Sequence, residues 1–173
     1  MPRGMNIDDL LRPVRETPVQ AYFGQGLHTL GLLSWLLPQT GKADVWVSSY
    51  STSEPFLNGF YLLGLKDLIR HSAILLDQRA ARKTLRLESL LSSAFEHVFL
   101  GQNHSKLLLV KSETMTVSVI TSQNQTYGAR AESTIITTDP QVFDVLMRQF
   151  VDICGEAAVE LDLSNGKGII TGC

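Results

Sequence analysis

The sequence predicts an α/β fold, a mixed β-sheet sandwiched between helices. Three observations carry this expectation. Short β-rich runs alternate with stretches of helical spacing along the chain. Three strand-like runs follow one another between residues 96 and 122 with no room for helices between them, which demands some antiparallel pairing. In HSKLLLV both faces are apolar after the first three residues, the pattern of a central strand covered on both sides.

The elements follow in order. Residues 1–20, with Pro2, Pro13 and Pro18, read as an irregular lead-in. GLHTLGLLSWLLP, 26–38, has helical spacing and stops at Pro38 and Gly41. ADVWVSSY, 43–50, is β-rich, and Ser53 with Pro55 caps and opens a helix over 54–68. HSAILLD, 71–77, is a short buried strand, and QRAARKTLRLESLL, 78–91, carries helix formers at helical spacing. EHVFLG (96–101), HSKLLLVK (104–111), MTVSVITS (115–122) and ESTIITT (132–138) are strands. Asp139 and Pro140 then cap and open a last helix through about Cys154. The tail from 156 to 173 reads as a hairpin around Asn165-Gly166.

Composition bounds the function. The 173 residues, 44% hydrophobic and 18% charged, fit one globular domain spanning the chain. The longest apolar stretch, LHTLGLLSWLL, is interrupted by His28, Gly31 and Ser34, and the N-terminus lacks the charged-then-apolar order of a secretory signal, so a cytoplasmic protein with no membrane partner is expected. Cys154 and Cys173 make neither a disulfide framework nor a metal cluster, and no metal or cofactor is expected. A net charge of -2 and a pI near 6.1 give no global attraction to polyanions, so any phosphate-binding surface must be a local patch. Arg79, Arg82, Lys83 and Arg86 recur at helical intervals as a basic stripe, either a solvated helix face or a track for a nucleic-acid backbone. The polar run SSYSTSE, 48–54, reads as capping and turn residues.

One rim concentrates chemistry. Side chains alternate along a strand, so His104 and Lys106 share a face, as do Ser122 and Asn124. His104 opens one strand and Asn124 closes the next, so antiparallel neighbours bring an imidazole, an ammonium, a hydroxyl and a carboxamide to the same edge.

HSK followed by TSQN resembles the phospholipase D superfamily pattern of His-x-Lys, four residues, Asp, six residues, Gly-Ser-x-Asn, and ARAES resembles the segment that supplies a later acidic residue. The sequence departs from it in three ways: Lys111 stands at the Asp position, Thr121 at the Gly position, and nine residues separate 111 from 121. The resemblance is to small single-motif, nuclease-like members and runs over about 40–152 as an order of elements.

The resemblance implies a metal-independent phosphodiesterase, a nuclease first of all. His104 would attack phosphorus and form a phosphohistidine, and Lys106, Ser122 and Asn124 would donate to the phosphoryl oxygens. Glu132 would accept a hydrogen bond from the other imidazole nitrogen and so select the tautomer. A second histidine must protonate the leaving oxygen, and His28, His71 and His97 lack the accompanying lysine. The resemblance therefore implies a homodimer with one His104 from each chain. The alternative is a weakened member of the same fold that binds nucleic acid or a protein partner, which Lys111 favours. Phospholipid hydrolysis is disfavoured by the single motif and the short chain.

Overall fold

The computed structural model describes residues 6–125, 130–156, 158–163 and 169–170. Its strands are β1 (Val19–Gly24), β2 (Ala43–Ser49), β3 (Ile69–Asp77), β4 (His97–Gly101), β5 (Leu107–Ser112), β6 (Thr116–Thr121), β7 (Glu132–Thr137), β8 (Val159–Asp162) and β9 (Ile169–Ile170). The helices are α1 (Thr29–Thr40), α2 (Glu54–Leu65), α3 (Ala81–Leu85), α4 (Glu88–Ala94) and α5 (Pro140–Glu156). The expected mixed sheet is present, in the order β1-β7-β6-β5-β2-β3-β4-β8-β9. Strands β2, β3 and β4 run parallel, and the remaining pairs are antiparallel.

Strand parity divides the core between the two faces. Ile74 and Leu76 of β3 join the larger cluster with Leu33, Leu36, Leu57, Phe60 and Leu91 from α1, α2 and α4. Ala73 and Leu75 point the other way, onto Phe150 and Cys154 of α5. Trp46 of β2 meets Phe143 of the same helix edge to face at 6.2 Å. Leu108, Leu109 and Val110 of β5 are fully buried, as the doubly apolar pattern requires. Burial also raises the Cys154 thiol to about 12, which keeps it an inert packing group. Among the described residues, no helix is long and apolar enough to cross a membrane.

Several elements differ from the sequence expectation. The lead-in contains a short 3₁₀ turn at Ile7–Asp9, capped by the Asn6 side chain, and Ile7, Leu11 and Val14 pack into the main core. It ends in β1, an edge strand against β7 that begins inside the supposedly irregular segment. Helix α1 starts at Thr29 and continues through Pro38, because a proline in the last turn frees only the carbonyl of exposed Ser34 before Gly41, at φ +83°, ends the helix. The helix expected over 78–91 is broken into a 3₁₀ turn at Gln78–Ala80, then α3 and α4. Helix α2 stops at Leu65 rather than 68, ahead of Asp67 at φ +57°. In the tail, β8 and β9 pair antiparallel, while the Asn165-Gly166 turn and Cys173 lie outside the described residues.

Candidate functional site

The site lies where the parallel strands β2 and β3 end. Leu107 of β5 pairs with Ser48 near the end of β2 and with Ile120 near the end of β6, and Thr121 pairs with Thr134 near the start of β7. This register gathers the segments 48–53, 77–79, 102–106, 121–125 and 132–133 on one edge of the sheet. In open α/β sheets that edge is where ligands bind.

His104 and Lys106 are not in the strand they were expected to open. They precede β5: side chains take the N–H groups of Asn103 and Ser105, and the ladder to β6 begins at the Lys106 carbonyl, which accepts from the Thr121 N–H at 3.1 Å. Asn103 accepts from the Ser105 N–H at 3.0 Å and from the Ser105 hydroxyl at 2.7 Å. Its amide donates to the carbonyls of Ser49 (3.1 Å) and Leu75 (3.2 Å), at the ends of β2 and β3. Its own N–H donates to Asp77 Oδ2 at 2.9 Å, and Asp77 Oδ1 accepts from the Arg79 N–H at 2.7 Å. Ser48 and Ser105 hydroxyls lie 2.6 Å apart. Both residues flanking His104 are thereby tied to the strand ends beneath them.

The tether leaves the imidazole exposed. Its ring lies 5.6 Å from that of Tyr50, tilted by 59°. Lys106 Nζ is 3.2 Å from His104 Nδ1 and donates to the His104 carbonyl at 2.6 Å. The expected shared direction of the two side chains is thus realised as a direct contact. Burial holds the Lys106 pKa below the usual lysine value, and the charge of Glu132 offsets part of that depression.

Glu132 does not make the bond expected of it. Among the described residues no hydrogen bond joins it to His104; its carboxylate accepts from the Ser122 hydroxyl instead. The cause is cross-strand pairing. Ser122 N–H donates to the Ser133 carbonyl at 3.0 Å and Ser133 N–H to Ser122 Oγ at 3.0 Å, which sets Ser122 beside the first residue of β7. Asn124 lies half-buried at the edge of a cavity, with its Oδ1 out of solvent. Lys111 is exposed on β5, opposite Asp44 and Thr116.

The polar run 48–54 makes contacts at this edge beyond those of a turn, through Ser48, Ser49, Tyr50 and Ser53. Ser53, at the start of α2, makes no capping bond with its side chain and donates to the Gln125 carbonyl at 2.8 Å. The Gln125 N–H approaches Ser49 Oγ at 3.4 Å. Arg79, Arg82, Lys83 and Arg86 are all exposed, but on a broken segment rather than one helix face. That segment starts from the Asp77 carboxylate that also holds Asn103. Among the described residues, no group of three or more His, Cys, Asp or Glu side chains is placed to hold a metal ion.

The backbone order and the sheet find counterparts among solved structures. Nuc of Salmonella typhimurium, a phospholipase D family member, matches with a TM-score of 0.59 at 16% identity, over 80% of this chain and 96% of that one. The chain has a phospholipase D-like fold. Polyphosphate kinase of Porphyromonas gingivalis is similar at a TM-score of 0.62 and 13% identity, over 88% of this chain and 29% of the kinase. TrmBL2, an archaeal chromatin protein with a novel mode of DNA binding, is similar at 0.52 and 9% identity, over 87% of this chain and 58% of that protein. No protein-family model and no curated protein matches the sequence. The phospholipase D-like fold therefore rests on geometry, at identities too low to carry function with it.

The Lys106 ammonium supplies a direct check on this site. Its proton is expected to leave below the ordinary lysine value of 10.5, because burial disfavours the charged form. The Glu132 carboxylate acts in the opposite sense, so Glu132→Gln should move the midpoint lower still. Nitrogen NMR of the lysine side chain reads both; an unchanged midpoint in the variant would show that Glu132 does not act on Lys106.

Proposed function

We propose that the chain is a metal-independent phosphodiesterase acting on nucleic acid, with His104, Lys106, Ser122, Asn124 and Glu132 as its site and a second copy of the chain completing it. The observation that carries this reading is the exposed His104 ring on a tethered loop with the Lys106 ammonium 3.2 Å from its Nδ1. A nucleophile and a fixed cation are what an anionic phosphodiester needs on approach. Likeness to Nuc supports the same direction, and likeness to TrmBL2 supports nucleic acid as the polyanion.

In the proposed reaction an imidazole nitrogen of His104 attacks phosphorus and the ester oxygen leaves as an alcohol, protonated by His104 of the second chain. The second chain's His104, now neutral, takes a proton from water as that water attacks the phosphohistidine, releasing the phosphate monoester and the free ring. Lys106 and the Asn124 amide donate to the non-bridging oxygens as charge builds on them, and the Ser122 hydroxyl does so once its one proton turns from Glu132 to the phosphate. Phosphate binding must draw Lys106 away from Nδ1. While Lys106 donates to Nδ1, the ring proton sits on Nε2 and the one in-plane lone pair, on Nδ1, is occupied by that bond and not free to attack.

That same contact favours a second reading. A ring held with its Nε2–H outward donates to a phosphate without attacking it, and Glu132 is engaged by Ser122. Together with Lys111 at the motif Asp position, this describes a binding domain of the same fold.

The deciding experiment is cleavage of a DNA oligonucleotide in EDTA, with sedimentation of the same sample. Cleavage by a dimer is the expected result. Cleavage only after a divalent ion is added overturns metal independence, full activity in a monomer overturns the shared site, and binding without cleavage selects the second reading.

A further inference from the structure

We infer that the cavity beside Asn124 is a nucleobase subsite read by the Gln125 carboxamide. The inference rests on the phosphodiester reading of the neighbouring rim and names what lies next to the phosphate. The cavity measures about 430 Å³, enough for one planar group of that size. Leu30, Pro55 and Phe56 give it apolar walls, and Asn124 and Gln125 line it as well. Asn124 follows Ser122 by two residues, so rim and cavity are contiguous along one short segment.

Gln125 is the observation that points to a ligand. Only 7% of it is exposed, and among the described residues neither its Oε1 nor its Nε2 has a hydrogen-bond partner. Asn124 Oδ1 is buried and unpaired in the same way. Such groups are costly to keep and are normally satisfied. The backbone of Gln125 is already held, its N–H near Ser49 Oγ and its carbonyl accepting from Ser53, so rotation of the side chain is what can present the amide to the cavity.

The chemistry of the lining selects the occupant. A lipid chain would leave the amides unpaired, and a sugar would set its hydroxyls against the Leu30, Pro55 and Phe56 walls. A nucleobase offers apolar faces and an edge with adjacent donor and acceptor, which a carboxamide meets with two parallel hydrogen bonds, as in glutamine on adenine.

The test compares an oligodeoxyadenylate with an abasic strand of the same length and phosphate number, by fluorescence anisotropy in EDTA. Wild-type protein should bind the base-bearing strand at least about tenfold more tightly, the scale of one good bidentate contact. Gln125→Leu should erase that difference while leaving the affinity for the abasic strand unchanged. Replacing an unpaired buried amide by an apolar group should not lower the thermal midpoint. Gln125→Met serves if the leucine variant does not fold. Variants that still prefer the base-bearing strand as wild type does overturn the subsite and leave the phosphate reading standing. If wild type binds neither strand, the phosphate reading fails, and adenosine alone decides the subsite: a shift of the Gln125 side-chain amide NMR signals supports it, and no shift overturns it.

Discussion

Replacing His104 by alanine is expected to lower EDTA-resistant phosphodiester cleavage by at least about 10³-fold, because removal of a covalent nucleophile leaves only the contribution of binding and the donors. Folding should be unaffected. The ring is exposed and, among the described residues, touches Lys106 and Tyr50, so its loss creates no cavity and strands no buried partner. Affinity for a DNA strand should fall only slightly, since Lys106 and Ser122 remain. The comparison also removes a practical ambiguity, because a contaminating nuclease survives the substitution. Cleavage at the parental rate in the variant would sink the nucleophile assignment and with it the phosphohistidine.

The sheet was legible because burial imposes strong patterns on it. Leu108, Leu109 and Val110 sit under helices on both faces, and no polar residue could be tolerated there. Edge strand β1 was missed for the opposite reason. Burial along VQAYFG does alternate, but Val19 and Phe23 are 65% and 80% exposed and Gln20 lies on the half-buried side, so the apolar residues do not mark an inward face. The strand's place is fixed by pairing with β7, which is remote in sequence. The break between α3 and α4 was hidden by a run of good helix formers. There, tertiary packing of Thr84, Leu87 and Leu91 overrides propensity.

Motif spacing pointed to the candidate residues of the rim but not to the hydrogen bonds beneath them. His104, Lys106, Ser122 and Asn124 announce themselves as chemistry-bearing residue types at matched strand ends. Asn103, Asp77, Ser48 and Ser105 do not, because each is an ordinary loop residue until the ends of β2 and β3 are brought together. The one available signal was adjacency. A polar residue on each side of His104 is more than a strand needs, and in extended geometry both face away from the imidazole. The partner of Glu132 was illegible for a related reason, since its choice of Ser122 follows from one backbone bond and one backbone-to-hydroxyl bond between Ser122 and Ser133 that no spacing rule states.

That hidden support yields the second large effect. Asn103→Ala is expected to cost about 3 kcal/mol of stability, the scale of removing four hydrogen bonds made by one buried side chain. The Ser49 and Leu75 carbonyls lose a donor, and the Ser105 N–H and hydroxyl lose their acceptor. The bond from the Asn103 N–H to the Asp77 carboxylate does not use the Asn103 side chain and can survive, so the strand ends should stay folded while the loop loosens. Ser105→Ala removes only the hydroxyl's bonds to Asn103 and Ser48 and should cost about 1 kcal/mol. Urea denaturation of the two variants separates these expectations. Catalysis provides the independent measure, because a tether acts on the position of His104 as well as on stability. Under conditions where the variant is fully folded, its rate should still fall by about tenfold or more, since an ångström of misplacement can cost that and beyond. Parental stability in Asn103→Ala would show that the buried network does not hold the loop, and a parental rate in a destabilised variant would show that it holds the fold but not the imidazole.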